Sequence, residues 1–396
     1  MQRYKILHRT CYNFSSAVRL DSHTLLIRPR EGHELRIESS ILEITPPATL
    51  RWHRDVEDNS VAIATFDSSA SQLLIESEVI IQQYNRAPLD FLVADYAMDY
   101  PFSYTPEDGV VLAPYMDVAM RKSGDTLDQW LANMWRLDEQ VQTYALLQRM
   151  SAQIRNGLSY RRREEPGVQT AAETLSYGTG SCRDFANLFV EAARRLGLAA
   201  RFVSGYLVQL KADEKSLDGP SGPAADFTDL HAWCEVFLPG AGWVGLDPTS
   251  GLFAGEGHIP LACTPHPSTA AAITGAIDPC EVEFEFSNDV VRIHEDPRVT
   301  KPYSEEQWSA IDTLGLAVDA QMEAADVRLT MGGEPTFVSA QDMDAPQWNT
   351  EALGEDKLKL AKQLLLRLRE RFAPGGLVHY GQGKWYPGEP TPRWAL

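Results

Sequence analysis

Cys182 stands in the stretch Gly178-Thr-Gly-Ser-Cys-Arg-Asp-Phe-Ala-Asn187, where a turn-rich segment runs directly into an amphipathic pattern. A thiol at a helix start faces the positive end of the macrodipole and several unpaired backbone N–H groups. Such a place favours thiolate, and the same N–H groups can stabilise an oxyanion. The position suits a nucleophile for acyl transfer. The plain alternative is a small packed thiol. A nucleophile needs a base, and the base needs an orienting acid. His231 and Asp247 offer both, in His231-Ala-Trp-Cys-Glu-Val-Phe-Leu238 and Trp243-Val-Gly-Leu-Asp247.

Two kinds of element must position these groups. Ser181-Cys182-Arg183-Asp184 fits a capping box with Ser181 as N-cap. Phe185, Leu188, Phe189, Ala192, Ala193 and Leu196 then repeat at the spacing of one buried helical face, and Gly197 ends the helix. The runs carrying His231 and Asp247 flank Pro239-Gly-Ala-Gly242 and read as a β-hairpin. Alternation puts Ala232, Cys234 and Val236 on the core side and His231, Trp233 and Glu235 on the other, with Trp243 and Asp247 opposite. A turn centred near Gly240 makes His231 and Asp247 cross-strand neighbours, with Cβ atoms about 5 Å apart. Asp247 would accept from the His231 Nδ1–H and stabilise imidazolium. Pro248 ends that strand.

These three blocks resemble the transglutaminase-like superfamily, in its bacterial branch with a papain-type Cys-His-Asp order. The resemblance implies that Cys182 attacks an amide carbonyl, His231 serves as base and acid, and Asp247 orients His231. It also implies an oxyanion hole formed by the cysteine N–H and a second upstream donor; Tyr160, Gln169 and Tyr177 are candidates, and spacing does not choose among them. Trp233 and Trp243 are expected to wall the site. The thioester could be resolved by water or by an amine. A non-catalytic peptide-binding module on the same cleft is the alternative. A small-molecule acyltransferase like the arylamine N-acetyltransferases shares the triad but gains no support from the N-terminal region.

That region, residues 1–85, holds strand-like runs at Tyr4–Phe14, Thr24–Arg28, Leu35–Thr45, Val61–Asp67 and Leu73–Gln82, and reads as an antiparallel β-sandwich. It resembles the β region that precedes the core in this branch. Residues 86–300 are expected to hold an α+β core, with an irregular aromatic-rich lead-in and then helix from Thr126 to Gly157. Lys211–Asp229 is a polar, Gly/Pro-rich loop, read as a surface loop with a lid as the alternative. Glu281–Phe286 alternates as a strand with its glutamates in solvent. Residues 301–396 are a linker helix near Glu305–Ala325, a Gly332-Gly-Glu-Pro-Thr-Phe337 block and a helix at Glu355–Phe372. The glycine-rich block resembles the opening of a glutamine-synthetase-like carboxylate–amine ligase domain. Too little follows for that fold, so a further ligase-like domain or partner beyond the C-terminus is expected, with Glu334 open between structural and functional roles.

Composition bounds the partners. The 396 residues carry a formal charge of −19 with scattered basic residues, which opposes general nucleic-acid binding. The expected partner is a peptide or protein substrate, with no membrane association, since no apolar run is long enough to span a bilayer. Five cysteines without tight spacing suggest reduced thiols and a cytoplasmic location. Cys11, Cys234, Cys263 and Cys280 lack a helix start and read as structural. No cofactor or metal is expected: Asp213, Glu214 and Asp218 make no calcium loop, and His258 and His266 have no partner at zinc spacing. Oligomeric state is not set by the sequence.

Overall fold

The computed structural model describes residues 2–84, 91–117, 124–136, 139–163, 165–211, 223–295, 304–325, 345–349, 354–382 and 394–395. Two compact units emerge, Met1–His294 with Gly375–Leu396, and Glu295–Pro374.

In the first unit, alternation of apolar residues along Gln2–Val18 and Ala70–Gln83 forms long antiparallel strands paired from Gln2↔Gln83 to Asn13↔Gln72. Two four-stranded sheets result. One is ordered Val282–Glu295, Gln2–Val18, Ala70–Gln83, Leu35–Thr45; the other is Ile273–Thr274, His23–Leu25, Ser60–Thr65, Thr49–Arg54. Phe14, Val18, Leu25, Ala62, Leu73 and Ile75 fill the space between them. The sandwich is therefore real but is not confined to residues 1–85. Each sheet takes an edge strand from beyond the core, a long-range pairing that local patterning cannot reveal. Thr49–Arg54, mostly exposed, was also outside the sequence reading for want of an apolar face.

The second layer system is a five-stranded antiparallel sheet ordered Leu252–Phe253, Gly242–Asp247, Phe227–Leu238, Ala200–Gln209, His258–Thr264. The helix Cys182–Arg195 packs on it. Phe185, Leu188, Phe189, Ala192 and Ala193 are at most 1% exposed, each large side chain contributing about 1.5–3 kcal/mol by burial. Farther along the strands, the sheet meets the sandwich through Tyr206, Val208, Ile259 and Leu261 against Ile6, Ile37, Val79 and Ile81. Buried Asn59 adds a polar clamp: it donates to the Cys263 carbonyl at 3.1 Å and accepts from the Cys263 N–H at 2.9 Å.

The expected helix from Thr126 to Gly157 is two helices, Gly124–Ala132 and Thr143–Gly157. Between them Val141–Gln142 leaves to pair with Asp99–Tyr100, a tertiary bond that overrides local propensity. The aromatic-rich lead-in contains a further helix, Pro106–Met116, capped by Thr105 Oγ1 accepting from the Asp108 N–H. Tyr104 fastens this segment to the core by donating to the Phe237 carbonyl at 2.9 Å.

The second unit comprises helices Glu305–Ala324, Pro346–Asn349 and Glu355–Phe372. Ser304 caps the first, with Gln307 closing the box. The Gly332–Phe337 block, with Glu334, lies outside the described residues, as do Asp213, Glu214, Asp218 and most of the Lys211–Asp229 loop. The described ends of that loop are joined by the Lys211 N–H donating to Asp226 Oδ1 at 2.8 Å.

Candidate active site

Cys182 is the first residue of its helix, and Ser181 is the N-cap. Asp184 folds back on that cap: its Oδ2 accepts from the Ser181 N–H at 2.8 Å and from Ser181 Oγ at 2.7 Å. Its Oδ1 accepts from Arg163 Nη1 at 2.7 Å and from the Gln169 N–H at 2.8 Å. Asp184 is fully buried. Burial alone would raise its pKa; the hydrogen bonds from Gln169, Ser181 and Arg163 outweigh this and hold it below the usual carboxylate range. One side chain thus fixes both the helix start and the loop before it. Gly180 completes the turn, because a Cβ there would lie 2.9 Å from Asp184 Cβ.

The hairpin forms with its turn at Gly240, where φ is +87°, and pairs Cys234↔Leu246 through Leu238↔Gly242. The register is centred on Gly240 as expected, but His231 and Asp247 are not directly opposite. Asp247 follows the partner of Cys234, so His231 is its diagonal neighbour, while His231 itself pairs with Gly205 on the other side. The side chains still meet: His231 Nε2 is 3.1 Å from Asp247 Oδ2. The contact is an ion-pair distance that lacks full hydrogen-bond alignment. The expected nitrogen is also corrected. Nε2, not Nδ1, faces the acid, because the diagonal approach brings the ring tip to the carboxylate. Cys182 lies near enough to the same ring to raise its pKa.

Burial opposes a charged His231, but Asp247 and Cys182 outweigh it and push the imidazole pKa up to about 10. Burial likewise opposes a charged Asp247, but hydrogen bonds from His231 and His258 hold it well below the usual carboxylate range. The Asp247 Oδ1 accepts from the Thr249 N–H at 2.9 Å.

Cys182 and His231 line one cleft of about 700 Å³, with Val168, Val190, Phe202 and Leu230 among its apolar walls. Of the upstream donor candidates, Tyr160 lies within electrostatic reach of Cys182 and Asp247, and burial chiefly raises its pKa. The Gln169 carboxamide accepts from Thr174 Oγ1, and Tyr177 is 63% exposed. Trp233 stacks beside His231 with centroids 6.3 Å apart. Trp243 does not join it: Arg201 covers its ring at 4.2 Å and Tyr115 and Phe237 edge it. Trp243 pairs with Phe237, and three pairings separate it from Trp233 along the hairpin. Cys11, Cys234 and Cys263 are buried; burial pushes Cys234 up and Cys263 up to about 12, so neither is a ready nucleophile.

His258 was outside the sequence reading of the site. Its Nε2 is 3.4 Å from Asp247 Oδ2. No sequence spacing signals this, since it depends on the strand His258–Thr264 returning beside Ala200–Gln209. Among the described residues, ligand atoms of His231, Asp247 and His258 lie within 4.8 Å of one another. The donor chemistry opposes a metal there, because His258 Nδ1 accepts from the Gly255 N–H at 3.1 Å, leaving the ring proton on Nε2. His266 lines the cleft but joins no such cluster among the described residues.

Residues 135–248 match the transglutaminase-like superfamily, residues 4–82 the bacterial transglutaminase-like N-terminal region, and residues 278–396 a family described as "Putative amidoligase enzyme (DUF2126)". An uncharacterized Mycobacterium tuberculosis protein is 28% identical over 283 residues, 65% of this chain and 82% of that protein. A Mycobacterium leprae relative is 24% identical over 284 residues, 65% of this chain and 87% of its own. The fold is similar to a crystal structure from Cytophaga hutchinsonii described as a "Putative Cysteine Protease", with a TM-score of 0.56 and 16% identity, covering 77% of this chain and 94% of that one. The chain thus carries a transglutaminase-like core at residues 135–248, preceded by a bacterial transglutaminase-like N-terminal region at residues 4–82.

Proposed function

We propose that this protein performs cysteine-dependent acyl transfer on peptide or isopeptide amides through a thioester at Cys182. The carrying observation is the convergence of the Cys182 helix start, His231 and Asp247 beside one apolar-walled cleft. In this reading His231 Nδ1 takes the thiol proton and the thiolate attacks the carbonyl carbon. Breaking the C–N bond leaves a thioester, and His231 returns the proton to the departing amine. Water or a second amine then attacks the thioester, His231 accepting and returning its proton, and the thiol is restored. The Cys182 N–H and Tyr160 hydroxyl are the donors best placed for the oxyanion. The apolar cleft suits a peptide side chain next to the scissile amide.

The test is the rate of iodoacetamide labelling from pH 5 to pH 9, mapped by peptide mass spectrometry. Selective labelling of Cys182 near pH 6, lost in His231→Ala, supports the reading and justifies screening glutamine-bearing and lysine-linked peptides for ammonia release or amine incorporation. Slow, unselective labelling of all five cysteines sinks it and favours a peptide-binding module.

A further inference from the structure

We infer that His258 is a positioning residue for Asp247, locking the carboxylate that orients His231; this rests on the proposed function. Three observations converge on it. First, the His258 tautomer is set by the backbone. Nδ1 accepts from the Gly255 N–H at 3.1 Å, so it carries no proton, and Nε2–H must point the other way. Second, that N–H reaches Asp247 Oδ2 at 3.4 Å, the same oxygen that His231 Nε2 approaches at 3.1 Å. Third, the second carboxylate oxygen is already taken by the Thr249 N–H at 2.9 Å. A carboxylate held only by His231 and one backbone N–H could swing about its Cβ–Cγ bond. A donor from a different strand removes that freedom.

Trp233 ties the two imidazoles into one unit. It lies nearly parallel to His231 at 23° and meets His258 edge-on with centroids 5.0 Å apart. The His258 side chain is 12% exposed, so its hydrogen bond is shielded from competing water. The titratable groups facing Asp247 are His231, His258, Tyr160, Cys234 and, through His231, Cys182. Of these, His231 and His258 bring a ring nitrogen to its Oδ2, at 3.1 and 3.4 Å. His258 does not touch the reacting atoms; it acts through Asp247 on the thiolate–imidazolium pair.

The test compares wild type, His258→Leu and His258→Gln. Gln can still donate an N–H near the Nε2 position, whereas Leu fills space without donating. Loss of one hydrogen bond to a buried carboxylate should move the acid limb of Cys182 alkylation up by about one pH unit, which is about tenfold in rate at pH 6. Gln should stay within about threefold of wild type by the same reasoning. Leu labelling at the wild-type rate overturns the inference, and so does Gln labelling as slowly as Leu, which would assign His258 to packing alone. A second measurement does not depend on reactivity or on a folded variant: histidine ¹⁵N NMR of the wild-type protein should give an Nε2–H tautomer with an unprotonated Nδ1 at His258. An Nδ1–H tautomer overturns the inference. Wild-type Cys182 labelling slowly and without selectivity defeats the acyl-transfer reading instead, while the tautomer still decides whether His258 holds Asp247.

Discussion

Replacing Asp247 by Asn keeps the shape of the side chain and deletes its charge. The structure fixes how much this should matter. At 3.1 Å and an effective dielectric of about 20, the attraction between His231⁺ and the carboxylate is about 5 kcal/mol. A rise in the His231 pKa from 6.5 to about 10 corresponds to about the same amount at 1.36 kcal/mol per pH unit. Cys182 supplies part of that rise and burial opposes it, so Asp247→Asn should remove on the order of 3 kcal/mol from the thiolate–imidazolium pair, about 100-fold in its population. The variant should fold, and its iodoacetamide rate at Cys182 should fall about 100-fold at pH 6 and approach wild type near pH 9.5, where thiolate forms without His231. A drop of less than about threefold at pH 6 in a folded variant would refute the argument, leaving Asp247 a strand-end residue.

Three further outcomes can be measured. Arg163→Met leaves the Asp184 carboxylate short of its charged partner, so chemical denaturation should report a loss of about 3 kcal/mol; an unchanged midpoint would show that the backbone donors suffice. Gly205→Ala forces a Cβ within 2.2 Å of the Ile259 carbonyl and 2.5 Å of Trp233, so its melting temperature should fall by several degrees, and Cys182 labelling with it, whereas Gly32→Ala, with nothing within 4 Å, should do neither. For pH, the folded His231 pKa lies above the unfolded one, so its contribution is complete below pH 6.5 and is lost as pH rises through about 10. Unfolding free energy should decline across that window in the wild type more than in His231→Ala, and parallel profiles would contradict the assignment.

The local parts of this site were legible in the chain. A serine cap, an acid three residues on and an apolar stripe gave the Cys182 helix from Cys182 to Arg195, and two β-runs about Gly240 gave the hairpin. Both depend on neighbours in sequence. What failed to show was whatever needed distant partners. His258 reaches Asp247 only because its strand returns across the sheet, and the edge strands of the sandwich come from residues 273–295. Trp243 was misplaced for a related reason: strand face was read correctly, but position along the strand decides what a ring touches. The helix expected through Val141 failed because two residues found better partners at Asp99–Tyr100.

The two strands that return after the core make the order of synthesis matter. Gln2–Val18 and His23–Leu25 leave the ribosome first, yet their outer neighbours, Val282–Glu295 and Ile273–Thr274, are made more than 240 residues later. Until then both sheets present unpaired backbone edges, the kind of surface that recruits other strands. The layers carrying Cys182, His231 and Asp247 are, topologically, an insertion into the sandwich, whose two late strands join only once those layers have been made. A fragment ending at residue 270 would keep Cys182, His231, Asp247 and His258, but it would leave Gln2–Val18 and His23–Leu25 without their outer neighbours. Its solubility, not its chemistry, would mark where this folding unit ends.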